Sequence, residues 1–223
     1  MVVVVDVLLA TTTLLTAVDN GASQVFVAET VEQAWTLAEL LGKDVILGGE
    51  QNGTPIEHFN LGPLPLEYSS EVIGQKAVVY VSTNGTPTVA AAARSGNPVF
   101  LSCLRNAPAV SAYLSQLGPS DVYVVGSGSR GLLALEDFVC AGVIACHLAV
   151  RTPAAYNDAA LAAMEIVQSR PPKEWVLAGR VGRALIRHGL EHVVEFCSEI
   201  GLSETVLSLD ERSRLIRTPQ HRA

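Results

Sequence analysis

Residues 2–13 read VVVVDVLLATTT. Four successive valines show no polar alternation, the mark of a strand covered on both faces rather than wetted on one. The run is broken by a carboxylate, Asp6, and three threonines follow within two turns. Similar runs return at 24–28 (QVFVA), 44–47 (DVIL), 77–81 (AVVYV), 98–102 (PVFLS) and 121–125 (DVYVV). Between several of them lie segments of helical period. The clearest is 30–41, opened by a Thr30-x-x-Gln33 capping box and closed by Gly42. Buried strands alternating with amphipathic helices predict an α/β fold, a largely parallel sheet covered on both sides. Ligands in such sheets collect beyond the carboxyl ends of the strands, so the residues just after each run are the candidates for function.

Residues 48–70 break the pattern with a Gly-, Pro- and Asn-rich stretch, a connection long enough to be functional. After Gly131 the alternation stops. The chain then reads helical through 135–150, 157–168, 172–188 and 191–200, and a terminal hairpin is expected over 205–217, turning near 210–213. These features predict one domain over 1–223, with a sheet core to about residue 131 and a helical part and hairpin beyond it.

Among the 223 residues, 49% are hydrophobic and 17% charged, which excludes a disordered chain. The formal charge of −7 with no basic block argues against nucleic acid and anionic membranes as partners. An anionic ligand would need a local cation. Cys103, Cys140, Cys146 and Cys197 form no C-x-x-C pair, so reduced buried thiols are expected. No apolar stretch approaches the roughly 18 residues of a membrane span, and residues 1–9 lack the basic region of a signal peptide. A cytoplasmic location is the expectation. The late apolar helices leave room for a homo-oligomer interface.

Three strand-end loops carry candidate chemistry. Asp6 at a strand end can ligate a hard cation, and Thr11, Thr12 and Thr13 can offer hydroxyls and amides to an anion or simply cap a helix. Residues 82–86 (STNGT) can form an anion nest at a helix start or an ordinary turn. Residues 126–131 (GSGSRG) match G-x-G-x-x-G, but the dinucleotide fingerprint needs an acid about 20 positions on, and 147–156 holds none. A Gly-rich loop presenting Arg130 and its amides to an anion is the better reading. Glu136 and Asp137 follow, as metal ligands or as complements to a helix dipole. H-x-x-E-H at 188–192 and Arg-His-Gly at 187–189 fall in a helical C-terminal region, where zinc-protease or histidine-phosphatase chemistry lacks its context.

Taken in order, these loops resemble the 2-phosphosulfolactate phosphatase family. The match is carried by 6–13 (DVLLATTT), 48–53 (GGEQNG), 59–62 (FNLG) with 65–67 (PLE), 83–86 (TNGT), Asn106-Ala107, and 128–131 (GSRG) running into 135–138 (LEDF). The resemblance implies a three-layer α/β/α domain with a mixed sheet and a helical C-terminal part. It also implies an Mg²⁺-dependent phosphatase of coenzyme M biosynthesis, converting (2R)-phospho-3-sulfolactate to sulfolactate and phosphate. Asp6, Glu50 and Asp137 are then the expected catalytic carboxylates, and Asp6, Glu50, Glu136 and Asp137 the expected metal ligands. Substrate contacts are expected from Thr11, Thr12, Thr13, Asn52, Thr83, Asn84, Gly85, Thr86, Asn106, Gly128, Arg130 and Gly131. The chain departs from the family pattern at Leu9 and Gln51, where Arg usually stands, and at Pro63-Leu64, which replaces an Asn-Ser pair. Those departures keep two alternatives in view: a family variant acting on a different phosphate ester, and a non-catalytic anion-binding protein on the same scaffold. Nucleotide-dependent oxidoreduction rests on 126–131 alone.

Overall fold

A computed structural model describes residues 1–218. The chain runs β1 (Val2–Val5), α1 (Ala10–Asp19), β2 (Gln24–Val27), α2 (Val31–Leu41), β3 (Val45–Gln51), β4 (Thr54–Pro55), α3 (Ser70–Ile73), β5 (Ala77–Val81) and α4 (Gly85–Ala93). It continues through β6 (Val99–Ser102), α5 (Ala107–Leu117), β7 (Tyr123–Gly126), α6 (Leu135–Ala149), α7 (Asp158–Ser169) and α8 (Pro172–Ala178). The last elements are α9 (Arg180–Arg187), α10 (Glu191–Ser198), β8 (Leu207–Leu209) and β9 (Arg214–Arg217). The helix expected over 172–188 is interrupted at Gly179, whose extended backbone starts α9 afresh. At the head of α2, Thr30 Oγ1 accepts from Gln33 N–H, but the Gln33 side chain reaches back to Glu29 N–H rather than to Thr30.

The sheet is mixed, in the order β4-β3-β5-β2-β9-β8-β6-β1-β7. β3, β5 and β2 form one parallel block, and β6, β1 and β7 another. The hairpin β8–β9 lies between them, antiparallel to β2 on one side and β6 on the other. A terminal hairpin was expected, but its place at the centre of the sheet was not legible. Hydrophobic pattern reports which faces are buried and says nothing about which edge a strand will meet. The hairpin satisfies backbone groups of β2 and β6 that would otherwise lie unpaired inside the core.

The β1 valines feed both layers. Val2 and Val4 pack with Leu14 and Leu15 of α1 and Val89 of α4. Val3 and Val5 point the other way, against Val110 of α5, Ile144 of α6, Val176 of α8 and Val193 of α10. Helices therefore cover both faces, as the absence of alternation required. The stretch expected as loop from residue 48 instead extends β3 to Gln51. Gly49 makes this possible: at φ +126°, any Cβ there would stand 1.8 Å from the Val81 carbonyl oxygen on β5. No helix among the described residues is long and apolar enough to cross a membrane.

Because the hairpin is a central part of the sheet, truncating its inward face is expected to cost global stability. Leu207 is fully buried, so Leu207→Ala should lower the unfolding free energy by about 2–5 kcal/mol in a denaturant titration. Ile216→Ala, at a half-exposed position of β9, should cost under about 1 kcal/mol. Equal effects at the two positions would mean the hairpin is peripheral.

Candidate active site

The carboxyl ends of β1, β3, β5 and β7 converge on one cavity of about 590 Å³, closed from the side by α9. Asp6 enters it one residue beyond β1, Glu50 and Asn52 from the end of β3, and Ser82, Thr83 and Asn84 from the β5–α4 connection. Gly128, Ser129 and Arg130 enter from the loop after β7. Residues widely separated in sequence meet here because every parallel strand delivers its following loop to the same edge of the sheet.

Asp6 sits at the centre of this arrangement and is only 8% exposed. Its Oδ1 accepts a long hydrogen bond from Ala10 N–H at 3.4 Å. Burial pushes its pKa up to about 7, and the charges of Glu136 and Glu50 push the same way, while the N–H groups of Ala10 and Leu9 pull down. Glu50 is fully engaged. Its Oε1 accepts from Thr83 N–H at 2.6 Å, and its Oε2 accepts from Thr83 Oγ1 at 2.8 Å and from Gly53 N–H at 2.7 Å. Asp137 is engaged in the same way, accepting from Val7 N–H at 2.9 Å and Gly128 N–H at 3.0 Å. Burial is the main reason its carboxyl is pushed well above the ordinary range, with the Asp6 charge adding to it. Glu136, 2% exposed, differs: its Oε2 is buried and has no hydrogen-bond partner. Burial raises its pKa, and the nearby Arg180 charge opposes that.

These bonds set the four expected metal ligands apart from one another. Among the described residues, no three His, Cys, Asp or Glu side chains form a group poised to hold a metal ion. Glu50 and Asp137 spend their oxygens on backbone amides and on Thr83. Asp6 and Glu136 are the two carboxylates that keep oxygen atoms uncommitted.

Several expected substrate contacts also lie elsewhere. Thr11, Thr12 and Thr13 are fully buried, and their hydroxyls donate to the carbonyls of Asp6, Val7 and Pro63 at 2.7–2.8 Å. They fasten α1 to the strand end rather than reaching the cavity. Thr86 exchanges hydrogen bonds with Ser82, its N–H donating to Ser82 Oγ. Asn106 is buried, accepting from Cys103 N–H and donating to the Thr205 carbonyl. Asp137 and Gly131 line a second cavity of about 650 Å³ along β7 and α6, and Gly128 borders both. Threonine runs and Asn turns look alike in sequence whether their hydroxyls face a ligand or a backbone carbonyl.

The loop of residues 126–131 is a turn rather than a helix start. Ser129 and Leu132 exchange backbone hydrogen bonds at 2.9 and 3.1 Å, and Arg130 and Gly131 between them both have positive φ. This is a type I′ turn with Arg130 at its tip. α6 begins only at Leu135, beyond the last of these glycines, and the Asp137 carboxylate in its first turn already takes the Gly128 N–H that a pyrophosphate would need.

Two cavity residues escaped the reading of the sequence: Arg180 and Arg187, from opposite ends of α9. Their seven-residue spacing puts them on one helix face, a pattern visible in the sequence as soon as a helix boundary is placed at Gly179. With Arg130, three arginines meet the carboxylates of Asp6 and Glu50 around one space. The local cation that an acidic chain needs for an anionic ligand is thereby supplied.

Comparison with known proteins agrees with the loop pattern. The family model described as 2-phosphosulpholactate phosphatase matches residues 1–212. A protein of Carboxydothermus hydrogenoformans, named a probable 2-phosphosulfolactate phosphatase, is 36% identical over 205 residues, covering 92% of this chain and 84% of its own. Proteins of the same name from Thermus thermophilus and Deinococcus radiodurans are 33% and 32% identical over 207 residues, each covering 92% of this chain and 86% of its own.

Gly85 opens α4 against the reactive end of β1. An added Cβ there would stand 2.5 Å from Asp6 Oδ2 and 2.6 Å from Ala10 Cβ. Gly85→Ala should therefore destabilise the fold by about 1–3 kcal/mol, read as a lowered midpoint in chemical denaturation. An unchanged midpoint would show that the Asp6 side chain has room to step aside.

Proposed function

The chain belongs to the 2-phosphosulpholactate phosphatase family, and from that premise we propose that it is a phosphoric monoester hydrolase. Its substrate class is small, anionic phosphate esters, (2R)-phospho-3-sulfolactate foremost, hydrolysed to sulfolactate and phosphate with Mg²⁺. The observation that carries this reading is a desolvated Asp6 carboxylate in the same cavity as Arg130 and Asn84.

The donor set fits a hydrated magnesium ion. Mg²⁺ is usually held by one or two carboxylates, with waters and substrate phosphate completing the octahedron. Asp6, which lines the cavity and keeps an oxygen free, is the residue to hold it; Glu136, with an unpartnered Oε2, does not line the cavity and stands behind Asp6 as a second buried carboxyl. Bound there, the cation would polarise a phosphoryl oxygen and offset the crowded carboxylates.

The protein groups divide the remaining work. Arg130, at the tip of its turn, faces the equatorial oxygens of the phosphoryl group, and Asn84 adds an amide dipole. Asp6 orients the attacking water. The water oxygen bonds to phosphorus, the ester P–O bond breaks, and the proton released by that water ends on the departing alkoxide. Glu50 holds Thr83 and Gly53 so that the β3 and β5 loops keep one geometry. Asp137 does the same for Val7 and Gly128 on the other side. These two are positioning residues.

Purified protein should release phosphate from phosphosulfolactate with Mg²⁺ and lose that activity in EDTA. Asp6→Asn should lower kcat by roughly a hundredfold or more, and Arg130→Ala should lower kcat/KM by at least about tenfold. Absence of metal-dependent phosphate release from any ester would end the proposal.

The raised pKa of Asp6 has a second readout. In the unfolded chain the group titrates near the ordinary aspartate value of 3.8, and in the fold it is pushed up to about 7, so the folded state holds the proton more tightly between them. Its contribution to stability is present below pH 4 and is lost as pH rises through about 7. In metal-free buffer the wild type should lose stability across that window, and Asp6→Asn should lose less, by as much as about 4 kcal/mol at pH 8. A thermal-melt pH series on both proteins tests this, and parallel curves would refute it.

A further inference from the structure

We propose that Arg180 and Arg187 form a second anion subsite in the Asp6 cavity, one that takes the carboxylate or sulfonate of the ester rather than its phosphate. The proposal rests on the phosphatase reading and adds to it the residues that choose among esters.

Both arginines line the cavity and come from a single element, α9, which contributes nothing to the strand-end loops that hold Asp6, Asn84 and Arg130. Two turns of helix separate them, about 10 Å along the axis, so their guanidinium groups can reach one ligand from two directions. Arg180 is oriented, since its Nη2 donates to the Ser129 carbonyl at 2.9 Å, next to Arg130 on the same turn. That bond uses one of the five guanidinium donors and leaves others for a ligand. Arg180 has no ion-pair partner among the described residues, and its charge acts on Glu136 from longer range. Arg187 has no ion-pair partner among the described residues. Among the described residues, arginines at 94, 105, 214 and 217 are paired with carboxylates, while those at 130, 151, 170, 183 and 212 have no ion pair either, so it is the place of Arg180 and Arg187 in the cavity that singles them out.

The surroundings favour binding by these groups. Leu9, Leu64, Leu185 and Leu190 also line the cavity, so an ion there is less well screened than in open water. Asp6 and Glu50 share the space with the three arginines, but Glu50 is already engaged by Thr83 and Gly53, so the α9 guanidinium groups keep donors for a ligand. One phosphoryl group satisfies Arg130; carboxylate and sulfonate are planar or trigonal oxygen sets suited to the fork of a guanidinium. An ester lacking such a second group leaves Arg180 and Arg187 without their counter-charge.

Selectivity tests the assignment. Compare kcat/KM for phosphosulfolactate with that for p-nitrophenyl phosphate, which has no second acidic group. Arg187→Ala and Arg180→Ala should each lower the ratio of the two at least tenfold, mainly through KM for phosphosulfolactate, and Arg187→Lys should restore part of it. Arg130→Ala should lower both values and keep the ratio within about twofold. Calorimetry with sulfolactate, which carries both acidic groups and no phosphate, should show at least tenfold weaker binding to Arg187→Ala than to wild type. Ratios and sulfolactate affinities within twofold of wild type in both α9 variants would overturn the subsite. If the wild type hydrolyses no ester, the phosphatase reading fails, and the sulfolactate titration still decides the subsite.

Discussion

Everything at the catalytic end of this molecule depends on keeping carboxylates in a place that water scarcely reaches. Asp6 and Asp137 are buried together with Glu136, whose charge raises the cost of ionising both, and Asp6 raises it further for Asp137. Such a cluster survives folding because most of its oxygens are assigned to donors. Asp137 accepts two backbone N–H groups, and Glu50, at the rim, accepts from three donors on two residues. What is left over is free oxygen on Asp6 and Glu136, and a cation held by Asp6 would relieve the remaining repulsion.

The same bonds do mechanical work. Through Glu50 the end of β3 is fastened to the turn after β5, and through Asp137 the start of α6 is fastened to the residue after Asp6 and to the Gly-rich turn. Loops delivered by four different strands are thus cross-linked by carboxylates instead of being left to move independently. The hydroxyls of Thr11, Thr12 and Thr13 tie α1 into the same frame, and the absence of a Cβ at Gly85 lets α4 approach the Asp6 carboxylate. Preorganisation of this kind is what allows a few groups to act on a phosphoryl centre without reorganising at the moment of reaction.

Behind the site, the central hairpin β8–β9 joins two parallel blocks that share no direct strand pairing. Asp6 belongs to one block, Glu50 and Asn84 to the other, and the start of α4 reaches across to Asp6, where an added Cβ on Gly85 would stand 2.5 Å from its Oδ2. α9 then closes the open side and brings arginines to a space otherwise lined from strand ends. Structure and charge are linked here: a chain of net charge −7 brings three arginines to one cavity.

Residues 2–13 and their echoes along the chain were enough to establish an α/β sheet buried on both faces, because the period of hydrophobic residues follows directly from burial. They also located the reactive loops, since a parallel sheet sends every strand's carboxyl end to one side, and Asp6, Glu50, Asn84 and Arg130 do share a cavity. Tertiary structure alone decided which polar groups in those loops remain free. Asp137 and Glu136 are neighbours in one helical turn, yet only Asp137 meets the Val7 N–H from 130 residues away, and no local pattern encodes that. The hairpin's place in mid-sheet, and the turning of α9 towards Asp6, were likewise settled by long-range pairing, which leaves no periodic trace in the residues that undergo it.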